Sequence, residues 1–181
     1  MKLNLGAGND IKKNYVNHDL VNLHGIDLVH DLNNYPWPMK DNAFDEIIAN
    51  DLLEHLDDFM KAMEEAHRIL KPGGLFKIRV PYWNSWCTHA DPTHKRGFHE
   101  LRFHFFDPNS SYCKERPYYT HARFHISSEI FVLAPLSPYA SIPLLRIIKV
   151  KNKFLKKIVG LIGNTLSNII IDLEMELEKV S

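Results

Sequence analysis

The chain opens on Lys2-Leu3-Asn4-Leu5-Gly6-Ala7-Gly8-Asn9, an apolar strand that runs straight into a pair of glycines. Gly6 and Gly8 let the backbone turn sharply and leave no Cβ between it and a ligand. In open α/β sheets the turn after the first strand is where a nucleotide-like molecule sits, at the carboxyl ends of the strands. The dinucleotide fingerprint needs a third glycine three residues further on, and Ile11 stands there. No phosphate-loop pattern of glycine, four residues, then Gly-Lys-Ser/Thr is present either.

Beyond the turn the chain repeats one theme. Tyr15 to Leu20 and Ile26 to Leu32 are short strand-like runs, each closing on an acid, Asp19 and Asp31. Ala43-Phe44-Asp45-Glu46-Ile47-Ile48-Ala49-Asn50 is a longer apolar run, continuing into Asp51-Leu52-Leu53-Glu54-His55-Leu56. Phe59, Met60, Met63, Ala66, Ile69 and Leu70 recur at helical spacing and predict a helix over 57–70. Asp57 and Asp58 suit its first turn, Arg68 and Lys71 its last, and Pro72-Gly73-Gly74 stops it. Strands are expected near 2–5, 15–19, 26–30, 44–49 and 75–80, alternating with helix, which implies a mainly parallel sheet. Between Gly8 and Asp19 there is no room for a full crossover helix, which takes a dozen residues or more with its strand. The first helix is expected to be missing or reduced to a turn. That leaves one side of the cleft open, or covered by another part of the chain or another subunit.

The order of these blocks resembles the class I S-adenosylmethionine (SAM) dependent methyltransferases, in particular the small bacterial and archaeal type 11 group. The resemblance rests on Leu3-Asn4-Leu5-Gly6-Ala7-Gly8-Asn9, on Phe44-Asp45-Glu46-Ile47 with Leu53-Glu54-His55-Leu56, and on Arg68-Ile69-Leu70-Lys71-Pro72-Gly73-Gly74. It covers residues 1–107 well and the remainder loosely. A subgroup carrying Asp91-Pro92-Thr93-His94-Lys95, mostly of unassigned substrate, is similar as well. The resemblance implies a Rossmann-like doubly wound sheet of about seven strands, mainly parallel, ending in an antiparallel pair. Arg123 to Leu133 and the alternating Ile169 to Val180 are the strands for that pair.

It implies SAM as cofactor and methyl transfer as activity. The ribose diol asks for a bidentate acceptor, which Asp19 supplies; Asp31 and Leu32 fall at the adenine. Asn4, Gly6, Ala7 and Gly8 surround the methionine end, and Asn50 and Asp51 face the sulfonium. Read without the resemblance, these acids cap turns, and Asp41 and Asp45 are taken as turn and strand-start residues. Methyl transfer needs positioning and, for an oxygen or nitrogen acceptor, a base. His55, after the fourth strand, and Asp91 and His94, after the fifth, are the residues for that role. The Asp91-Pro92-Thr93-His94 turn is equally readable as structure alone.

Segment 81–125 holds six of the 11 histidines and 11 of the 20 aromatic residues, a composition that suits a lined pocket. Tyr82, Trp83, Trp86 and His89 are expected as the acceptor's walls. His89, His94, His99 and His104 recur every five residues, which scatters them around a helix and alternates them along a strand. His121 and His125 have no carboxylate or thiol at ligand spacing. No metal site is expected there.

With 181 residues the chain is expected to be one domain, with 81–125 as an acceptor-side insertion. Its 22 basic and 22 acidic residues cancel, so no net field recruits nucleic acid. No secretory pattern opens the chain and no apolar run of about 18 residues spans a membrane. Cys87 and Cys113 are not spaced as a redox or metal pair, and free thiols in a reducing cytoplasm are expected. Segment 142–168 is apolar at helical spacing, with Arg146, Lys149, Lys151, Lys153, Lys156 and Lys157 and no acid. It reads as a helical cover on the sheet ahead of a helix on an anionic membrane surface. The acceptor is a small molecule, a glycan or a lipid-linked precursor. Two further partners are compatible with the sequence: a membrane against 142–168 and a second copy of the chain. Other readings are a non-catalytic SAM-binding or partner-binding module on the same fold, and a nucleotide-binding oxidoreductase, against which the missing third glycine counts.

Overall fold

The computed structural model describes residues 1–133 and 148–180. Five strands come in succession in the first part of the chain: β1 (Lys2–Leu5), β2 (Val16–Asp19), β3 (Leu28–Val29), β4 (Phe44–Asn50) and β5 (Leu70–Pro81). Three more complete the sheet: β6 (Phe124–Leu133), β7 (Ile148–Val150) and β8 (Ile170–Lys179). Their spatial order is β3-β2-β1-β4-β5-β8-β6-β7. β1 to β5 pair in parallel, while β8 pairs antiparallel with both β5 and β6. The parallel half and the antiparallel end are as expected, with eight strands in place of about seven.

The helix expected over 57–70 is α1 (Phe59–Ile69). Asp58 caps it, its carboxylate accepting from the Lys61 N–H at 3.0 Å. Phe59, Ala62, Met63, Ala66 and Ile69 are its buried face. They pack on the side chains that alternate inward from the strands, among them Leu3, Leu5, Ile47, Ala49, Phe76, Ile78, Leu173 and Met175. Between β5 and β6 lie three short helices, α2 (Trp86–Ala90), α3 (Leu101–His104) and α4 (Ser111–Glu115). The aromatic residues here do not chiefly line a pocket. Phe98, Phe103, Phe106 and Phe124 are fully buried, and the Phe59 ring meets the first three edge-on at 5.3, 5.6 and 5.8 Å. Five of the 11 aromatic residues of this segment, Tyr82 and these four phenylalanines, thus extend the core.

The crossover from β1 to β2 contains no helix. Two buried amides brace the loop in its place. Asn4 donates to the Asp10 carbonyl at 2.8 Å and to Asn17 Oδ1 at 3.1 Å. Asn17 Oδ1 also accepts from the Lys12 N–H at 2.9 Å, while its amide nitrogen donates to the Lys12 carbonyl at 3.1 Å. With no helix there, the sheet face opposite α1 must be tolerable in water, and charged residues line it around Ile48 and Ile130. Lys77 stands opposite Glu176 and Arg79 opposite Glu174 across the β5–β8 ladder, and Lys77 pairs with Glu46 at 2.6 Å. Among the described residues the sheet therefore carries its helices on one face, where a doubly wound sheet carries them on both.

Segment 142–168 is not one helix. Residues 142–147, Arg146 included, lie outside the described residues. Ile148-Lys149-Val150 extends the sheet edge as β7, its alternating β-branched residues suited to a strand. Asn152 then accepts from the Phe154 and Leu155 N–H groups and starts α5 (Lys153–Thr165). Asn168, with φ at +65°, turns the chain into β8.

Candidate active site

β1, β2 and β4 run parallel, so their carboxyl ends share one edge of the sheet. The glycine turn sits there. Gly6 has φ +62° and a Cβ on it would stand 2.9 Å from the Leu52 side chain, so the turn packs against the loop leaving β4. Gly8 has φ +51° with nothing within 4 Å of where its Cβ would lie, an open cradle. The Gly8 N–H donates to Asp19 Oδ2 at 2.8 Å and the Val21 N–H to Asp19 Oδ1 at 3.0 Å. Asp19 is thus fixed beside the turn, each oxygen keeping a lone pair. Ala7 is held by its N–H to the His18 carbonyl at 2.8 Å.

The other residues expected around a cofactor have contacts of their own. Asn4 is 3% exposed and spends its amide on the loop, so it supports the turn from below. Leu32 belongs to the core. Asp31 caps its own turn, accepting from the Asn33 N–H at 2.9 Å. Asp51, with φ +51°, is ion-paired to Arg79, and Asn50 borders a cleft on the open sheet face with Lys77 and Glu174.

The loop after β4 meets the turn after α2 in a second cluster. Asp91 accepts from the Thr93 hydroxyl at 2.6 Å and the Thr93 N–H at 2.8 Å, which holds its carboxyl below the ordinary range. Thr93 Oγ1 lies 3.0 Å from His55 Nδ1. Because that hydroxyl donates to Asp91, His55 Nδ1 carries the hydrogen and Nε2 the lone pair. His94 Nδ1 lies 3.3 Å from the Thr88 carbonyl, which fixes the same tautomer there. The two imidazole rings meet at 4.7 Å between centroids. Burial and the neighbouring His94 push His55 below the usual histidine value.

Glu54 stands beside them, fully buried, with neither carboxylate oxygen hydrogen-bonded. Burial, reinforced by Asp51 and Asp172, pushes its carboxyl up to about 8. The Lys95 N–H donates to the Glu54 carbonyl at 2.8 Å, tying the Asp91-Pro92-Thr93-His94-Lys95 turn onto the Glu54-His55 segment. The cluster brings together His55, Asp91 and His94, which the sequence singled out, with Glu54 and Thr93, which it did not. The signal for Glu54 was an acid inside the run Leu52-Leu53-Glu54-His55-Leu56, where a buried segment has no water to offer a charge.

Of the expected acceptor walls, Trp83, Trp86 and His89 share a cleft of about 440 Å³ with Asn84, Ser85, Ser167 and Asn168. Tyr82 does not join them. It is fully buried, packed on Phe131, with its hydroxyl donating to Glu100 at 3.2 Å, and offers no surface to an acceptor.

Residues 7–78 match the family model for the methyltransferase domain. Demethylmenaquinone methyltransferase of Geobacillus stearothermophilus is 30% identical over 84 residues, which is 46% of this chain and 32% of that protein. The chain thus spans about a third of the length of that curated relative. A SAM-dependent methyltransferase of Thermotoga maritima superposes with a TM-score of 0.64 at 13% identity, over 99% of this chain and 82% of the other. The methyltransferase in complex with the Haloferax volcanii Trm112 methyltransferase activator gives 0.56 at 14% identity, over 99% and 82%. The chain has the Rossmann-like fold of SAM-dependent methyltransferases, and residues 7–78 carry its methyltransferase-domain match.

Proposed function

We propose that the protein is a SAM-dependent methyltransferase acting on a small-molecule acceptor. The observation that carries this reading is the open cradle over Gly8 with Asp19 locked beside it, at the edge of the sheet where ligands of this fold bind. The residues fit the group. Asp19 would receive the ribose diol through its remaining lone pairs, Gly6, Ala7 and Gly8 would border the methionine end, and Asp31 would lie at the adenine. Asn50 and Asp51 would border the sulfonium. When bound, SAM supplies an electrophilic methyl group on a sulfonium sulfur.

The chain's own part on the other side is positioning and proton acceptance. His55 and His94 each turn Nδ1 to an oxygen, which leaves Nε2 as the atom facing an acceptor's proton, and Asp91 orients His55 through Thr93. Trp83, Trp86 and His89 supply the acceptor's walls. A small-molecule acceptor is in keeping with the relative named for demethylmenaquinone. A lipid-linked acceptor is favoured by one observation: α5 exposes Phe154, Leu155, Ile158, Leu161 and Ile162 beside its lysines, a surface suited to an anionic bilayer. No helix among the described residues is long and apolar enough to cross a membrane.

Incubation with methyl-labelled SAM and a panel of hydroxyl, amine and quinol acceptors tests the reading. Label transferred to a panel member supports it. SAM binding with no transfer to any panel member or lysate component favours the non-catalytic module, and no SAM binding removes both.

A further inference from the structure

We propose that Glu54, His55 and His94 form a binding site for a divalent transition-metal ion. One ligand atom from each lies within 4.8 Å of the others, and His94 Nε2 is 3.9 Å from Glu54 Oε1. Ligands about 2 Å from a zinc ion stand at most about 4 Å apart, so the three close on an ion by side-chain shifts of under about an ångström. Two imidazoles and one carboxylate are a donor set for zinc or iron(II), with further positions open to water or substrate.

Two independent features point to a cation. The first is the Glu54 carboxylate, fully buried with both oxygens unpartnered. A buried acceptor left unsatisfied is costly, and an ion among these three residues offsets that cost. The second is the shell behind the histidines. A metal-binding imidazole donates its other N–H to an oxygen, which fixes the tautomer and aims the lone pair. His55 does this to Thr93, itself bonded to Asp91, and His94 does it to the Thr88 carbonyl. Both rings therefore leave Nε2 as the nitrogen free to ligate, and that of His94 already faces Glu54.

The turn Asp91-Pro92-Thr93-His94-Lys95 gains a single explanation. Asp91 and Thr93 are positioning residues for His55, His94 is a ligand, and the Lys95 N–H anchors the Glu54 backbone. The periodicity of the histidines in 81–125 gave no sign of this, because the second imidazole comes from the loop after β4. The site does not require the methyltransferase reading, and a bound ion takes the two Nε2 lone pairs assigned above to proton acceptance, so His55 and His94 serve as bases only in the metal-free protein.

The test uses the full chain, stripped with a chelator and titrated with zinc(II) by calorimetry, with cobalt(II) absorption as a second readout. One equivalent is expected to bind, and cobalt is expected to give visible bands of nitrogen- and oxygen-ligated metal. Glu54→Gln and His94→Gln are expected to lose at least tenfold in zinc affinity. Thr93→Val, which keeps all three ligands but removes the oxygen that holds His55, is expected to lose roughly 10–100-fold. SAM binding, measured on the same samples, separates the two readings. Zinc binding without SAM binding leaves the ion site and removes the methyltransferase; SAM binding without zinc binding does the reverse. Should Glu54→Gln fail to fold, His94→Gln and the wild-type cobalt spectrum decide. Absence of a stoichiometric zinc isotherm and of cobalt bands in the wild-type protein overturns the proposal, as does unchanged affinity in His94→Gln.

Discussion

α1 and α5 are both amphipathic, and they use that property in opposite ways. On α1 the large apolar residues point inward: Met63 and Ile69 are fully buried with Ala62 and Ala66, and Phe59 nearly so. On α5 the small residues point inward. Gly160 and Gly163 are its buried positions, and a Cβ on Gly163 would lie 2.7 Å from Ile170. Its large residues face out, with Phe154 at 73% and Leu161 at 70% exposure. Helical spacing thus reveals an apolar stripe without saying what covers it. Residue size decides: a stripe of glycines admits the sheet closely, and the bulky stripe is left for something else. α5 meets the sheet with its narrow side. We propose that the bulky stripe, flanked by Lys153 and Lys157, lies on an anionic membrane.

The two helices should differ most in stability. Met63→Ala is expected to cost about 2–5 kcal/mol, the range for emptying a packed core position. Leu161→Ala is expected to stay within about 0.5 kcal/mol, as for an exposed site. Denaturant unfolding of both variants measures this, and equal losses would mean that the α5 stripe is covered.

A smaller effect concerns the exposed stripe itself. Co-sedimentation with vesicles containing anionic lipid is expected at low salt and lost as salt rises. Replacing Lys153 and Lys157 together by alanine is expected to weaken it by about 2 kcal/mol, at roughly 1 kcal/mol per lysine. Failure of the wild-type protein to sediment at low salt would exclude the membrane as the cover. A dimer in solution that buries Phe154 and Leu161 would replace it.

The smallest effect lies on α1. His67 is held down to about 4 by burial, with Lys179 and Arg123 adding to it. Its folded value is below the unfolded one, so its contribution is present above about pH 6.5 and is lost as pH falls towards 4. His67→Gln is expected to unfold less steeply with acid across that window, by up to one proton, in denaturant midpoints taken at several pH values. An unchanged slope would mean that the ring is not sealed by α1 and Phe124.

How much of this the sequence displayed depends on whether a feature is local. The parallel strands, α1 and the missing first helix arise from spacing within a few residues of each position. Asp19 was legible because an acid closing a strand after a glycine turn has few places to go. Tyr82 was misplaced because an aromatic residue after β5 looks the same from its neighbours whether it faces a cleft or Phe131. The extra strand was hidden in a lysine-rich stretch, where Ile148 and Val150 are too few to set an alternating period apart from the helical one that follows in α5. Glu54, Thr93 and the docking of His94 on His55 depend on contacts made across some 40 residues, which no local pattern reports. The helix-free face obeys the same logic in reverse. The charges on Lys77, Arg79, Glu174 and Glu176 alternate openly along β5 and β8, and with the short β1–β2 crossover they announce a sheet with water on one side.

Whether the glycine turn holds SAM is settled by calorimetric titration of the full chain with SAM and with S-adenosylhomocysteine, repeated on Asp19→Ala. Both ligands are expected to bind. Asp19→Ala, while still folded, is expected to weaken binding by about 1.5–3 kcal/mol, the scale of a hydrogen bond to a charged group. No binding of either ligand below about millimolar concentration, an affinity of only ~4 kcal/mol, contradicts the methyltransferase reading. Unchanged affinity in folded Asp19→Ala contradicts the placement of the cofactor beside the glycine turn.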